Sequence, residues 1–215
     1  MKYAGWALDL SRPNDSNSLM IESLLFIVIS YLLGSLSSAI LVCRLAGLPD
    51  PREHGSGNPG ATNIFRLHGK KLAAITLAGD FLKGLLAVLL GRLFSLEDSL
   101  LAAMGTAAFF GHLYPVFFGF QGGKGVATFV GVLFGFGWLA GVAYGLTWGL
   151  VAYLCRYSSL SALVATGLSP IFVSLTTPSP AYLLAALFMA ALLYWRHRPN
   201  IQKLLAGTEG KIGSK

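Results

Sequence analysis

Three polar stretches interrupt an otherwise apolar chain, and each collects side chains and backbone groups of the kind that bind anions. Residues 55–71 read GSGNPGATNIFRLHGKK, residues 111–128 read GHLYPVFFGFQGGKGVAT, and residues 196–209 read RHRPNIQKLLAGTE. Glycines that expose backbone N–H groups, helix starts, and Arg, Lys, His or Asn recur in all three, which is how a chain surrounds phosphate with donors. The flanking sequence is greasy. The ligand these features suggest has a phosphate end and an apolar end.

In the first stretch, Gly55, Ser56 and Gly57 can present successive N–H groups. Asn58 followed by Pro59 signals a helix start, with an N-cap and proline at the first helical position. A helix from Pro59 places Asn63, Arg66 and Lys70 on one face by their i, i+3, i+7 spacing. This is either an anion site made of glycine turn, helix N-terminus and Arg fork, or a capped interfacial helix with snorkelling basic residues. In the second stretch, Gly122-Gly123-Lys124-Gly125 looks like part of a nucleotide-binding P-loop. The full pattern needs glycine where Phe118 stands and Ser or Thr where Gly125 stands, so no nucleotide is implied. What survives is a phosphate cradle of Gly122, Gly123, Gly125 and Lys124, or a plain tight turn, before a helix at Val126. His112 is either a proton carrier or a buried, hydrogen-bonded histidine.

In the third stretch, Pro199 breaks the last apolar run, and Ile201, Leu204 and Leu205 suit a short amphipathic helix on the membrane surface. Arg196, His197, Arg198 and Lys203 suit a positive stop signal, an account that fits His197 and Asn200 less well. Asp80 and Lys83, at i, i+3 inside an apolar run, are expected to neutralise each other in part and to face the bundle interior, either as a structural pair or as part of the site.

Other chemistries are excluded by pattern. There is no GxSxG elbow around Ser56, no HxxxxD of thioester-using glycerolipid acyltransferases, and no HExxH or paired-carboxylate metal cluster. The signature of CDP-alcohol phosphotransferases is absent too. No metal and no cofactor is expected. The pattern is one of phosphate holders without an obvious strong base.

The elements that position these stretches are membrane helices. Hydrophobic residues make up 54% of the chain and charged residues 12%, with a mean hydropathy of +0.65. A soluble domain carries about 25% charged residues, so this composition specifies an integral membrane protein of one domain. Its basic balance, +7 at neutral pH, lacks the interleaved aromatics of a nucleic-acid binder. Cys43 and Cys155 give neither metal spacing nor a disulfide framework and read as small packing residues.

Apolar runs predict helices over 22–44, 71–93, 98–118, 126–155, 158–177 and 180–195. Most have the roughly 20 residues a crossing needs. The 30 residues of 126–155 would reach about 45 Å as one helix, so a hairpin of two short helices turning near Gly137–Gly141 is expected instead. With that hairpin the chain is all-α, with seven transmembrane helices. Arg44, Arg52, Arg66, Lys70, Lys71, Lys124, Arg156, Arg196, Arg198, Lys203, Lys211 and Lys215 then share one side, against Lys2, Arg12 and Arg92 on the other. The positive-inside rule makes the first side cytoplasmic, with the N-terminus periplasmic and the C-terminus cytoplasmic. Residues 1–20 read as a polar N-terminal extension without the order of a cleaved signal peptide, residues 21–209 as a single transmembrane domain, and residues 210–215 as a tail.

The three stretches, together with YLLGS at Tyr31–Ser35 and DFLKG at Asp80–Gly84, resemble the bacterial acyl-phosphate:glycerol-3-phosphate acyltransferases from about Ser23 to Glu209. The resemblance implies a seven-helix bundle in the bacterial inner membrane with a cytoplasmic active site. The implied reaction is acyl transfer from acyl phosphate to glycerol 3-phosphate, giving 1-acyl-glycerol 3-phosphate (lysophosphatidic acid) early in phospholipid biosynthesis. It implies Ser56, Arg66, Lys124, His197 and Asn200 as holders of glycerol 3-phosphate, Gly122, Gly123 and Gly125 as a backbone cradle, and Glu209 as a brace. Asn58, Asn63, Gly55 and Gly57 complete the candidate set from the first stretch. Gln121 stands where the family commonly has Lys, and Lys203 where it commonly has Arg. The implied partners are the two substrates and membrane lipids, with no nucleic acid and no obligatory protein. A membrane permease for an organophosphate, with Lys124 and Arg66 along its path, is the alternative the same residues allow.

Overall fold

In lipid a chain must satisfy its own backbone, and apolar runs of this length do so as helices. The computed structural model describes residues 16–213. They form α1 (Ser16–Gly34), α2 (Ser38–Leu45), α3 (Ala61–His68), α4 (Lys70–Leu93), α5 (Asp98–Leu113), α6 (Val126–Phe136), α7 (Trp138–Cys155), α8 (Ser158–Thr176), α9 (Pro180–Arg196) and α10 (Arg198–Leu205), with a 3-10 turn at Val116–Phe118. No strand occurs among the described residues. Among the described residues, five segments are long and apolar enough to cross a membrane (Asn17–Gly34, Lys70–Leu93, Asp98–Phe118, Trp138–Cys155 and Ser158–Thr176), and Val126–Phe136 and Pro180–Arg196 are shorter apolar helices. The N-terminal extension lies largely outside the described residues, although α1 starts within it at Ser16.

The hairpin falls where expected. Gly137, in extended conformation, separates α6 from α7. Arg92, at the end of α4, donates to the carbonyls of Gly135 (2.9 Å) and Phe136 (2.8 Å). It thereby closes carbonyls at the C-terminus of α6, where a cation also suits the helix dipole.

Two expectations fail. The single helix predicted over 22–44 is broken at 35–37, between α1 and α2. The break is stable because α4 satisfies it: Lys83 Nζ donates to Leu36 O (2.7 Å), and the Ser38 amide donates to Asp80 Oδ1 (3.4 Å). Asp80 and Lys83 do form an ion pair, at 3.0 Å and nearly fully buried, and together they replace the hydrogen bonds the interrupted helix gave up. The second failure is at α3, which starts at Ala61 with Gly60 as N-cap, so Asn58-Pro59 is not its start. That helix also ends at Gly69, which puts Lys70 on α4 and breaks the expected shared face of Asn63, Arg66 and Lys70. Asn63 points inward instead, donating through Nδ2 to the carbonyls of Pro51 (2.9 Å) and His54 (3.1 Å).

The core sits between α4, α5, α6, α7, α8 and α9. Phe109, Phe129, Phe136 and Tyr144 are fully buried or nearly so, and Phe136 stacks on Tyr182 with centroids 4.3 Å apart. Helices α4 and α6 cross at backbone distance, because side chains at Gly84 and Gly131 would overlap the carbonyls of Thr128 and Phe81. Small residues are the usual device for such crossings in membranes. Of the cysteines, Cys43 is buried as expected and Cys155 is exposed.

Candidate active site

The three polar stretches meet at one end of the bundle. Arg52, three residues before the first, ties that segment to the second by donating to Phe118 O (2.8 Å). Arg196 links the third to the second by donating to the carbonyls of Gly122 (2.9 Å) and Gly123 (3.1 Å). Arg66 reaches Gly210 O at 3.1 Å, and Thr62 meets Ser158 hydroxyl to hydroxyl at 3.1 Å.

Between them lies a cavity of about 540 Å³ with two chemically distinct halves. Ser56, Asn58, Asn63, Arg66, His112, Lys124, Gly125, His197, Asn200 and Glu209 border it, so nearly every side chain singled out in the sequence converges on one space. The other half is apolar: Ala74, Leu77, Ala78 and Phe81 from α4, Val126 and Val130 from α6, and Tyr144, Gly145 and Trp148 from α7. Gly55, Gly57, Gly122 and Gly123 do not border it. They shape the loops behind the lining.

Each loop is held for a reason readable in its contacts. Asn63 Oδ1 accepts from the Ser56 amide at 2.9 Å and so fixes the glycine turn over the cavity. The Gly122–Gly125 loop rests on the end of α5, where the Gly123 amide donates to His112 O at 3.2 Å. A Cβ at Gly123 would overlap Nε2 of the His112 ring, and Gly125 takes a φ of +93° that L side chains rarely adopt. This loop aims Lys124 inward.

Lys124 Nζ donates to Asn200 Oδ1, Asn200 Nδ2 donates to Glu209 Oε1 at 2.8 Å, and Ser159 Oγ donates to the same oxygen at 2.6 Å. Glu209 thus orients Asn200, and Asn200 orients Lys124. Burial lowers the Lys124 ammonium to about 8, with Lys203, Arg196 and Arg66 adding repulsion and Glu209 opposing it. Burial likewise lowers His197 to about 4, so its ring is neutral at pH 7. Its Nδ1 lies 2.8 Å from Leu193 O. A carbonyl only accepts, so Nδ1 carries the proton and Nε2 is left with a free lone pair.

Several participants escaped the sequence reading. Ser159 was visible only as a serine opening an apolar helix. Arg196 reads in the sequence as part of a positive stop signal. Asp80, for which the sequence leaves a structural pair with Lys83 and a place in the site both open, borders the cavity and lies 3.6 Å from His112 Nδ1, outside hydrogen-bond distance.

A family model described as glycerol-3-phosphate acyltransferase matches residues 24–207. The chain belongs to the glycerol-3-phosphate acyltransferase family. It is 56% identical to the glycerol-3-phosphate acyltransferase of Thioalkalivibrio sulfidiphilus over 186 residues, 86% of this chain and 92% of that one. The corresponding protein of Methylococcus capsulatus is 54% identical over 191 residues, 89% of this chain and 96% of that one. Among solved structures, the glycerol 3-phosphate form of PlsY (YgiH), an integral membrane glycerol 3-phosphate acyltransferase, superposes with a TM-score of 0.85 at 38% identity, covering 89% of this chain and 96% of that one. The lysophosphatidic acid form gives 0.83 at 37% identity, with the same coverage. These likenesses decide for an acyltransferase acting on glycerol 3-phosphate over an organophosphate permease. They also carry the all-helical, membrane-integral character that composition implied.

Proposed function

We propose that this acyltransferase takes its acyl group from acyl phosphate and works at the cytoplasmic face of the bacterial inner membrane. The observation that supports it is the two-ended cavity, polar and cationic at one end and apolar at the other, with both ends in one space. Acyl phosphate carries its phosphate directly on the acyl group, so one such space accommodates it without a separate site for a nucleotide or a carrier protein.

In this reading Lys124 and Arg66 neutralise phosphate, while Ser56 and Asn200 supply neutral hydrogen bonds. Neutral His197 accepts a hydrogen bond at Nε2 from a hydroxyl of glycerol 3-phosphate. That substrate's terminal hydroxyl oxygen attacks the acyl carbonyl carbon, the carbon–oxygen bond of the mixed anhydride breaks, and inorganic phosphate leaves with the hydroxyl proton. Phosphate is a good leaving group, so alignment and charge neutralisation carry most of the rate enhancement.

Seven crossings are proposed: α1 with α2 as one broken span, then α4, α5, α6, α7, α8 and α9. The meeting of all three polar stretches at one end requires an even number of crossings between each pair, and the seven-helix count satisfies this. The deciding experiment incubates the purified protein with palmitoyl phosphate and glycerol 3-phosphate and no other enzyme. Formation of lysophosphatidic acid and phosphate is expected. Product with palmitoyl-CoA but not with palmitoyl phosphate would refute the donor assignment.

A further inference from the structure

The apolar half of the cavity has one gap in its wall of side chains. Leu77 and Phe81 of α4, Val130 of α6 and Trp148 of α7 border it, but between Tyr144 and Trp148 the lining residue is Gly145. A Cβ built at Gly145 meets nothing within 4 Å, so this glycine is not there to let two helices touch. Gly145 is itself exposed and leaves this side of the cavity wall open. Gly145 lies ten residues from the end of α7 at Cys155, about 15 Å along the helix axis. Ser158 and Ser159, at the start of the next helix, border the polar half. A chain anchored at the polar end therefore passes Trp148 before it reaches Gly145.

We infer that Gly145 sets the acyl-chain length the site accepts: its missing side chain lets a long acyl chain continue past Trp148, and a side chain there stops it. The inference rests on the proposed occupation of the apolar half by the acyl group. A pocket discriminates length by steric exclusion, because an over-long chain must displace the blocking side chain or leave the slot. Substitution here adds bulk to open space and favours the helix over glycine, so the fold should survive it. Gly149, one turn nearer Cys155, supplies the control. It too has open space around a built Cβ, yet it does not border the cavity.

The test compares wild type, Gly145→Leu, Gly145→Ala and Gly149→Leu by kcat/KM for palmitoyl phosphate and octanoyl phosphate, at saturating glycerol 3-phosphate. The palmitoyl-to-octanoyl ratio should fall at least about tenfold in Gly145→Leu, fall less in Gly145→Ala, and stay within about twofold of wild type in Gly149→Leu. An unchanged ratio in Gly145→Leu, including equal loss with both donors, overturns the inference, as does an equal fall in Gly149→Leu. Wild type that turns over neither acyl phosphate refutes the donor assignment instead. The same ratio measured with palmitoyl-CoA and octanoyl-CoA then tests Gly145 independently.

Discussion

Lys124 and Asn200, seventy-six positions apart, are joined by a hydrogen bond from the ammonium to the amide oxygen. That contact ties the glycine loop to the C-terminal helix, and Glu209 fixes its far side through Asn200 Nδ2. The cation is held in place before substrate arrives, so little orientation is lost on binding. Arg66 differs. It is exposed, and among the described residues its guanidinium makes one hydrogen bond, to the Gly210 carbonyl.

Lys124→Ala should therefore cost more than Arg66→Ala. Losing a buried charge-assisted contact to phosphate is worth about 2–5 kcal/mol, or roughly 30- to several-thousand-fold in kcat/KM. Arg66→Ala should fall at the low end of that range. Arg156→Ala, which removes a bond to Ile212 O at 3.1 Å outside the cavity, should stay within about twofold. Saturation curves for glycerol 3-phosphate at matched folded protein check the order. Near-normal kinetics for Lys124→Ala would remove its assignment to phosphate.

Affinity for glycerol 3-phosphate should weaken as pH rises through about 8, where the lowered Lys124 ammonium loses its proton. The phosphate of the substrate is already dianionic there, so the change belongs to the protein. KM should rise up to about tenfold per pH unit above that point. Folding stability moves the other way. The unfolded chain holds this proton up to the ordinary lysine value of 10.5, so between about 8 and 10.5 stability rises with pH, and unfolding at Lys124 is not the cause of the loss. Lys124→Arg, which keeps its charge throughout, should abolish the rise in KM. A wild-type profile that stays flat to pH 10 would contradict this account.

What could be read from the sequence was local or summed. The apolar runs gave the helices, and the length of 126–155 with its glycines pointed to a turn near Gly137–Gly141, which falls at Gly137. The candidate side chains came from short motifs, and most of them border one cavity. The misses came from contacts between distant positions. The break at 35–37 depends on Asp80 and Lys83, and no local signal at Leu36 announces them. Asn58-Pro59 is a sound helix start by local chemistry, but Asn63 is drawn inward by three backbone partners and shifts the start to Ala61. The pairing of Ser159 with Glu209 joins positions fifty apart, and the apolar slot exists only once three helices converge.

Removing one member of the buried pair at the broken span should destabilise more than removing both. Asp80→Leu leaves the Lys83 ammonium buried without its carboxylate and the Ser38 amide without its acceptor. Loss of one partner from a buried pair costs about 3–5 kcal/mol. Asp80→Leu with Lys83→Met removes both charges and should recover part of that loss, leaving mainly the unpaired Leu36 carbonyl and Ser38 amide. Thermal midpoints of the purified variants in one detergent measure it. A double variant as unstable as the sum of the single ones would show that the two charges do not act as a pair.

The proposed seven-crossing topology predicts which loops meet which compartment. Residues near Asn17 and Leu96 should face the periplasm, and Gly69, Arg156 and Gly210 the cytoplasm, by the asymmetry of basic residues. Position 156 decides most, because it follows α7 and its sidedness depends on counting α6 and α7 as two crossings. The structure gives Arg156 two contacts with the C-terminal segment, donating from Nη2 to Ile212 O and accepting from the Ile212 amide at its own carbonyl. Positions 156 and 210 should therefore label from the same side. Single cysteines at these five positions, in a background without Cys43 and Cys155, would be exposed in intact cells to a thiol reagent that cannot cross the inner membrane. Labelling at 17 and 96 only is expected, with the other three reacting after the membrane is opened. Labelling of position 156 in intact cells would refute the hairpin as a double crossing and place α8 and α9 in the reverse orientation.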